Sequence, residues 1–426
     1  MKTLLKNATV IPMTQDKYTF SSDILIQDGK INTIGKIDSS SIDKIIDCTG
    51  KIVLPAFVNG HTHLSMTLMR NYKDDTEDLF QWLSQIWPIE DKLNEEDIYW
   101  ASLLGNAEMI KCGCTTFADM YFMTWKTIEA CKKAGTRGII GLTFFGDEEE
   151  TKRRLRELVP KIDDAISGDD MFRVDAAVHS IYTCTAGTYE IAKDWARGRN
   201  TFLNTHLSET EKEVLDCISE NNVRPVDYLD KLGVLDDKTY LAHGVWFDNN
   251  EMETIQNRGC SIIHNPSSNC KLASGIAPIS EYREKGINVA LGTDGASSNN
   301  NLNILKEMNL ASMLSSVSTR KPSALSPYEI LKMATINGAK ALGLDDKIGT
   351  IEEGKEADVI VMDMDKLHTS PTNDIFSSII FASDKENIEY VFSKGEMLLD
   401  QGNLTTLDEE EIKINIYQQW NDILNR

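Results

Sequence analysis

The sequence lacks two features that mark large classes of proteins: a long hydrophobic run and an excess of basic residues. No run approaches the roughly 18 apolar residues that suggest a membrane-spanning helix. With 44 basic and 66 acidic side chains the formal net charge is -22, and such a surface repels nucleic acid on average. The start, MKTLLKNATVIPM, is interrupted by polar residues and predicts a strand instead of a signal peptide. We therefore expect a cytoplasmic protein whose partner is a small molecule, with no role for nucleic acid or a membrane.

The eight cysteines are scattered along the chain and form no disulfide framework. This usage predicts reduced and mostly buried thiols. Cys112 and Cys114 form a C-x-C pair, but no second Cys/His pair has the spacing that a structural zinc site needs. The cysteines therefore predict no metal site.

The spacing of apolar segments predicts an α/β fold built on a (β/α)8 barrel of the TIM type. The first fifty residues alternate short apolar runs with turns, and Asp28-Gly29 is typical of a tight hairpin. Further along, short apolar runs alternate with helical stretches, as in a parallel β/α barrel. The predicted barrel strands are 52–58, 114–119, 137–144, 172–178, 201–206, 239–243, 260–264 and 287–293.

The two ends of the chain predict a second, smaller unit. Short strands with glycine turns return after Lys347, and a helix closes the sequence. Neither end has enough strand to bury a core alone, so we expect both in one small β-sandwich. The predicted division is 1–52 and 346–426 for this β domain, with the terminal helix in the second segment, and 53–345 for the barrel. The interval 59–110 is long for one crossover, and we expect an insertion there that lies over the catalytic face as a lid.

Histidine is scarce, and its placement is the strongest signal in the sequence. Of the seven histidines, all but His368 lie at or just beyond the C-terminal end of a predicted strand, where barrel enzymes place catalytic groups. His61 and His63 point to the same side of an extended backbone, so both can reach one ion. His206 completes the usual three-ligand set of a catalytic zinc site. Asp294, at the end of the last strand, can bind the metal and accept a proton from water.

Other residues at strand ends suggest acid–base chemistry around this set. Glu209, three residues after His206, suits the transfer of a proton to a leaving amine, although a glutamate at a helix start is also favoured by the helix dipole. His243 either orients the attacking water or packs behind the site, and His179 is a candidate for substrate contact. His264 is as well explained by a structural role in a turn as by a catalytic one.

The fourth predicted strand, FRVDAAVHS, contains no lysine. Two-metal barrel hydrolases often bridge their ions with a modified lysine at this place. We therefore predict one divalent metal ion per subunit and hydrolysis at a single metal centre.

Several motifs resemble those of the amidohydrolase superfamily, and more specifically its 5′-methylthioadenosine/S-adenosylhomocysteine deaminases. They are LPAFVNGHTH, NTHLSE, LAHGV, HNPSSNCKLASGIAP, LGTDGASSNNNL, CTTFADMYF and HTHLSMTLMRNYKDDTEDLFQWLSQIWPIEDKL. The resemblance covers nearly the whole chain. It implies hydrolytic deamination of an adenosine-type nucleoside, with Zn2+, Fe2+ or Mn2+ on His61, His63, His206 and Asp294, and zinc as the first expectation.

The same resemblance implies roles for residues that spacing alone would not select. Glu209 would bind the purine edge and move protons, and His243 would position the attacking hydroxide. Glu90 would hydrogen-bond the ribose hydroxyls, His179 would contact the nucleoside, and Trp87 would shape the pocket.

One departure from the resemblance concerns the 5′ substituent of the substrate. Relatives that accept S-adenosylhomocysteine use arginines for its carboxylate. Arg154 can fill one such place, but the other aligns with Leu142, which carries no charge. Loss of a charge-assisted contact weakens binding of a carboxylate, so we expect methylthioadenosine, adenosine or 5′-deoxyadenosine ahead of S-adenosylhomocysteine.

Three alternatives stay open at this stage. The first is the same chemistry on another ring, as in guanine or cytosine deaminases or triazine chlorohydrolases. The second is an amide-hydrolysing relative such as a dihydropyrimidinase, against which the missing lysine argues. The third is a non-catalytic metal-binding protein. The oligomeric state is undetermined, with a homo-oligomer as one option.

Overall fold

The structure, a computed structural model, describes residues 2–426, whose named strands form two sheets. The N-terminal segment supplies β1 (Lys2–Val10), β2 (Phe20–Gln27), β3 (Lys30–Gly35), β4 (Lys44–Asp47) and β5 (Lys51–Pro55). The middle of the chain supplies β6 (Phe57–Thr62), β7 (Cys114–Tyr121), β8 (Arg137–Phe144), β9 (Phe172–Val178), β10 (Leu203–Leu207), β11 (Thr239–His243), β12 (Ser261–His264) and β13 (Asn288–Leu291). The C-terminal segment supplies β14 (Val359–Asp363), β15 (Ile388–Ser393), β16 (Glu396–Asp400) and β17 (Asn403–Leu404).

The helices lie mostly between the barrel strands. They are α1 (Leu79–Glu90), α2 (Glu95–Lys111), α3 (Thr124–Ala134), α4 (Glu148–Ile166), α5 (Ala186–Gly198), α6 (Glu211–Asn221), α7 (Pro225–Lys231), α8 (Asn249–Arg258), α9 (Pro266–Lys271), α10 (Ile279–Glu284), α11 (Ile304–Thr319), α12 (Pro327–Met333), α13 (Ile336–Ala341), α14 (Ile375–Ser377) and α15 (Glu409–Asn425). None of those within residues 2–426 combines the length and the apolar character needed to cross a membrane.

Strands β6 to β13 pair side by side in chain order, all parallel, and confirm the predicted barrel. The gap between its first and last strands is bridged by a side chain. Asn59 Oδ1 accepts the Thr293 N–H at 3.0 Å, and Asn59 Nδ2 donates to Thr293 Oγ1 at 2.8 Å. Just beyond, the Asp294 N–H donates to the His61 carbonyl at 3.0 Å. The strand ends that carry these two predicted ligands are therefore tied together directly.

The terminal sheet joins both ends of the chain, as predicted, through antiparallel pairing of β5 with β14. Seven of its nine strands, β1 to β5 with β14 and β15, contribute side chains to one apolar cluster that includes Leu5, Ile26, Val359 and Phe392. The predicted Asp28-Gly29 hairpin is present between β2 and β3, and both turn residues adopt positive φ (52° and 78°), as a two-residue turn of this kind requires.

The prediction of one barrel strand at 52–58 was wrong in one respect. Residues 51–55 pair with β14 and β1 in the terminal sheet, and the single residue Ala56 separates them from the barrel strand that begins at Phe57. Two strands of similar apolar character follow each other here, so the apolar pattern runs on across the sheet boundary. The strands of the terminal sheet fall within 2–55 and 359–404, while the division at 52/53 and 345/346 stays a prediction.

Residues between β6 and β7 form the expected insertion. A short 3-10 segment (Leu64–Met69) and α1 precede α2, and their apolar side chains pack in a cluster of their own. The C-terminal helix α15 braces this insertion, with Trp420 against Tyr72 and Ile423 in the same cluster. The insertion thus lies over the barrel mouth, and the C-terminal helix α15 packs against it.

Candidate active site

Four side chains meet at the C-terminal mouth of the barrel: His61, His63, His206 and Asp294. One donor atom of each lies within 4.8 Å of the donor atoms of the others. His206 Nε2 is 3.1 Å from His61 Nε2 and 3.3 Å from His63 Nε2, and Asp294 Oδ1 is 3.4 Å and 3.1 Å from the same two atoms. In the described residues this is the only group found with the arrangement of a metal site.

Backbone carbonyls fix the orientation of two of these imidazoles. His63 Nδ1 donates to the Met120 carbonyl, and His206 Nδ1 donates to the His179 carbonyl at 2.7 Å. With the proton on Nδ1, each Nε2 presents its lone pair to the centre of the cluster, as metal-bound histidines do. The donor set and its orientation therefore fit a divalent cation.

The electrostatics of the cluster favour the same conclusion. Burial lowers the pKa of His61 to about 4 and that of His206 well below its usual value, so both rings are neutral and able to ligate. Despite its burial, Asp294 has a pKa well below the usual range because it accepts hydrogen bonds from His61 and His63. Its carboxylate outweighs burial and raises the pKa of His63 to about 9, so a bound cation would displace the Nε2 proton of His63 as it takes that lone pair. The cluster thus stabilises a positive charge at its centre.

Asp294 is held by two hydroxyls that the sequence did not single out. Ser268 Oγ and Ser298 Oγ donate to its Oδ2 at 2.6 Å and 2.9 Å, which leaves Oδ1 for the centre. The backbone of Asp294 has a φ of 59°, a conformation that non-glycine residues rarely adopt without support. Ser268 belongs to HNPSSNCKLAS, a run whose polar density could have pointed to such a role.

Glu209 and His243 lie together beside the cluster. His243 Nε2 is 3.6 Å from Glu209 Oε2, and both side chains are buried. Asn269 Oδ1 accepts from His243 Nδ1 at 2.8 Å, and Ser274 Oγ donates to Glu209 Oε1 at 3.0 Å. Burial raises the pKa of Glu209, which is the direction of shift that a general acid needs.

A cavity that is open to solvent lies over these groups, and the space between its walls, with the open solvent included, is about 600 Å3. Its walls include Trp87 and Glu90 from the insertion, together with His179 from the end of β9. Glu90 accepts a hydrogen bond from the Tyr121 hydroxyl at 2.8 Å, and burial raises its pKa. His179 stacks on Phe145 with ring centroids 4.6 Å apart. Trp87, which is 41% exposed, lines the cavity from the solvent side.

Arg154 and Leu142 do not line this cavity. Arg154 lies behind Phe145, 5.6 Å from its ring centre, and donates to Glu150 and to the Thr143 carbonyl. Leu142 packs into the apolar core outside the barrel, so its side chain lies away from the cavity. Its alignment with a substrate-binding arginine stays a prediction. The strand alternates sides, and Thr143 is the neighbour that faces the cavity.

Two remaining histidines lie apart from the cavity. His264 is buried, its pKa is lowered to about 3 by that burial, and its ring nitrogens have no hydrogen-bond partner among the described residues. His368 Nε2 donates a hydrogen bond to Asn387 Oδ1 at 2.9 Å in the C-terminal segment. Neither contributes to the group at the barrel mouth.

Comparison with known families gives a match to the amidohydrolase family over residues 52–398. The chain belongs to the amidohydrolase family. The match runs from the last strand of the N-terminal segment into β16 and so spans the whole barrel.

Individual relatives cover almost the full length. A 5′-deoxyadenosine deaminase of Methanobrevibacter smithii is 42% identical and aligns with 96% of this chain and 95% of its own. A 5-methylthioadenosine/S-adenosylhomocysteine deaminase of Thermoanaerobacter pseudethanolicus is 38% identical over the whole of both chains. Among solved structures, an adenosine deaminase from Xanthomonas campestris with bound zinc superposes with a TM-score of 0.94 at 28% identity, covering 100% of this chain and 99% of that one.

Proposed function

We propose that this protein hydrolytically deaminates an adenosine-type nucleoside to the inosine analogue and ammonia. The observation that carries the proposal is the proximity of Glu209 and His243 to the three-histidine, one-aspartate cluster at the base of the cavity. The deaminase names of the two relatives support the same reaction class. The candidate substrates are 5′-methylthioadenosine, S-adenosylhomocysteine, adenosine and 5′-deoxyadenosine.

His61, His63, His206 and Asp294 would hold one divalent ion, with Zn2+ as our first choice and Fe2+ or Mn2+ as alternatives. When bound, such an ion supplies Lewis-acid activation of water near neutral pH. The zinc in the related adenosine deaminase structure supports this choice.

Different side chains around the cluster carry out the separate proton transfers of the reaction. Asp294 accepts a proton from the attacking water, and His243 Nε2 orients that water. Glu209, whose pKa is raised by burial, donates a proton to N1 of the adenine ring as the oxygen adds to C6. The C6–N bond then breaks as the proton held by Asp294 passes to the amino group, which leaves as ammonia, and the C6 hydroxyl proton returns to Glu209 as the carbonyl forms.

The cavity walls favour a neutral 5′ group. Among residues 2–426, no lysine or arginine lines the cavity, and the nearby Arg154 is paired with Glu150. A carboxylate-bearing substrate would therefore lack a charge-assisted partner. We rank methylthioadenosine, adenosine and 5′-deoxyadenosine above S-adenosylhomocysteine, with Glu90 at the ribose and His179 and Trp87 along the nucleoside.

The test is an assay of ammonia release from these nucleosides, set beside guanine, cytosine and a chlorotriazine, with ultraviolet absorbance reporting purine conversion. Glu209→Gln should keep its metal and lose turnover, while Glu251→Gln, at a buried acid remote from the cavity, should stay active. Full turnover by the Glu209→Gln enzyme would overturn the assignment. Metal analysis showing no bound ion would instead favour a non-catalytic protein. A cytoplasmic location and a homo-oligomer stay predictions.

A further inference from the structure

One buried carboxylate outside the cavity holds the turn that carries Glu209. Glu213 Oε1 accepts the Ser208 N–H and Glu213 Oε2 accepts the Glu209 N–H, both at 2.8 Å. The Glu213 side chain is 2% exposed and does not line the cavity. Each of its oxygens is therefore committed to one of two consecutive backbone amides.

The turn held in this way is conformationally demanding. Ser208 has a φ of 49°, a left-handed conformation that a residue with a side chain rarely adopts without support. Its carbonyl accepts the N–H groups of Val245 and Trp246, each at 3.0 Å, from the loop that follows His243. The turn is thus fixed on one side by Glu213 and on the other by the loop next to the second acid–base residue.

The start of α6 makes the position of this carboxylate favourable. Thr210 caps the helix by accepting the Glu213 N–H, which makes Glu213 the third residue of the first turn. Burial raises the pKa of Glu213 to about 7 against the lowering effect of its two amide hydrogen bonds, and the helix dipole favours its ionised form. The spacing Glu209–Thr210–x–x–Glu213 therefore lets one short segment supply both the reactive acid and its support.

We propose that Glu213 is a positioning residue that sets the Glu209 carboxyl against the substrate by clamping the amides of residues 208 and 209. This inference rests on the proposed role of Glu209 in the deamination. Without the clamp, the strained turn loses its support and Glu209 moves relative to Ser274 and His243. Substrate contacts elsewhere in the cavity stay intact, so the defect belongs to the chemical step.

Glu213→Gln tests the clamp because glutamine replaces one of the two carboxylate oxygens by an NH2 group. Its single oxygen can accept one backbone N–H, and the NH2 group faces the other N–H without a hydrogen bond. We expect kcat to fall by about 10- to 100-fold, as for small misplacements of a reacting group, with KM within about threefold of the wild type. Glu251→Gln is the control: Glu251 is also fully buried and accepts two backbone N–H groups, at 3.0 Å from Asp248 and 3.2 Å from Val226. It differs from Glu213 in pairing with Arg224, which also contacts Asp248 at 3.1 Å. The Glu251→Gln substitution should leave both constants near wild type.

The decisive measurement is a double-mutant cycle that combines Glu213→Gln with Glu209→Gln. Its readout is ammonia release over incubations long enough to measure the residual rate. If Glu213 acts through Glu209, the second substitution should change the residual rate by less than about threefold. The proposal is overturned if Glu213→Gln lowers kcat by the same factor in the wild type and in the Glu209→Gln enzyme. It is also overturned if the metal-loaded Glu213→Gln enzyme has the kcat of the wild type. If Glu213→Gln prevents folding, Glu213→Asp is the second variant, because it keeps a carboxyl group on a side chain that is one methylene shorter. A folded Glu213→Asp enzyme should show reduced kcat, and one with wild-type kcat also overturns the proposal.

The two hypotheses fail in different ways. If wild-type protein converts no adenosine-type nucleoside, the proposed function is refuted, and the Glu213 cycle is measured on whichever ring in the substrate panel it does hydrolyse. If the wild type and Glu251→Gln are active while Glu213→Gln is equally so, only the positioning role is refuted.

Discussion

Replacement of Glu90 by glutamine probes whether this cavity recognises a ribose. Glu90 Oε1 is taken by the Tyr121 hydroxyl at 2.8 Å, so Oε2 is left to accept from the substrate. Hydrogen bonds to a charged group contribute about 1.5–3 kcal/mol, against about 0.5–1.5 kcal/mol for neutral ones. The substitution should therefore cost about 1–1.5 kcal/mol for a substrate with ribose hydroxyls, close to a tenfold loss in kcat/KM.

The assay compares adenosine with 2′,3′-dideoxyadenosine on both enzymes. The dideoxy substrate has no hydroxyl for Glu90 to accept, so its kcat/KM should change by less than about threefold on substitution. Tyr121→Phe, which leaves the carboxylate in place but frees Oε1, should have a smaller effect on adenosine than Glu90→Gln. An equal loss for both substrates would refute the reasoning, because it would show that Glu90 supports the fold of the insertion without touching the sugar.

Three further predictions concern the metal and the buried acids. Chelation should abolish turnover and lower the melting temperature, since ion at 100 times its Kd stabilises the folded state by about 2.7 kcal/mol; a metal-free enzyme with full activity would contradict this. Ser268→Ala should weaken zinc affinity about 10- to 100-fold in a competition titration, as for other supports of a ligand, whereas unchanged affinity would show that Ser268 does not orient Asp294. Burial raises the pKa of Glu307 to about 7 from 4.5, so the folded state keeps a proton that the unfolded state has lost, and stability falls as pH rises from 4.5 to 7. Relative to the wild type, the Glu307→Gln protein should therefore gain up to about 3 kcal/mol in free energy of unfolding between pH 4.5 and pH 8, and a difference that does not vary with pH would contradict the assignment.

The sequence was sufficient to predict the barrel and the group at its mouth. A histidine at the end of a strand in a parallel barrel can be placed from the sequence, because the carboxyl ends of all the strands lie at one face. His61, His63, His206 and Asp294 could thus be grouped without knowing any distance between them. The insertion over the site was predictable from length alone, since no single crossover needs so many residues.

What the sequence did not reveal depends on side-chain direction and on contacts between distant segments. Leu142 and Thr143 differ by one residue, and only the strand register decides which of them faces the cavity. The boundary at Ala56 between the terminal sheet and the barrel cannot be recognised in the sequence, because apolar residues continue on both sides of it. Ser268 and Glu213 support other side chains or amides, and nothing in their local pattern distinguishes them from ordinary polar residues near a helix start.

The pairing of β5 with β14 has a consequence for how the protein is made. Roughly 300 residues separate the two strands, so a ribosome adding about 5–20 residues per second leaves the N-terminal half of the sheet without that neighbour for roughly 15–60 seconds. During this time the edge of β5 presents unpaired backbone groups to any other nascent chain. Yield on overproduction should therefore depend on chaperone supply and growth temperature more than on the stability of the finished barrel.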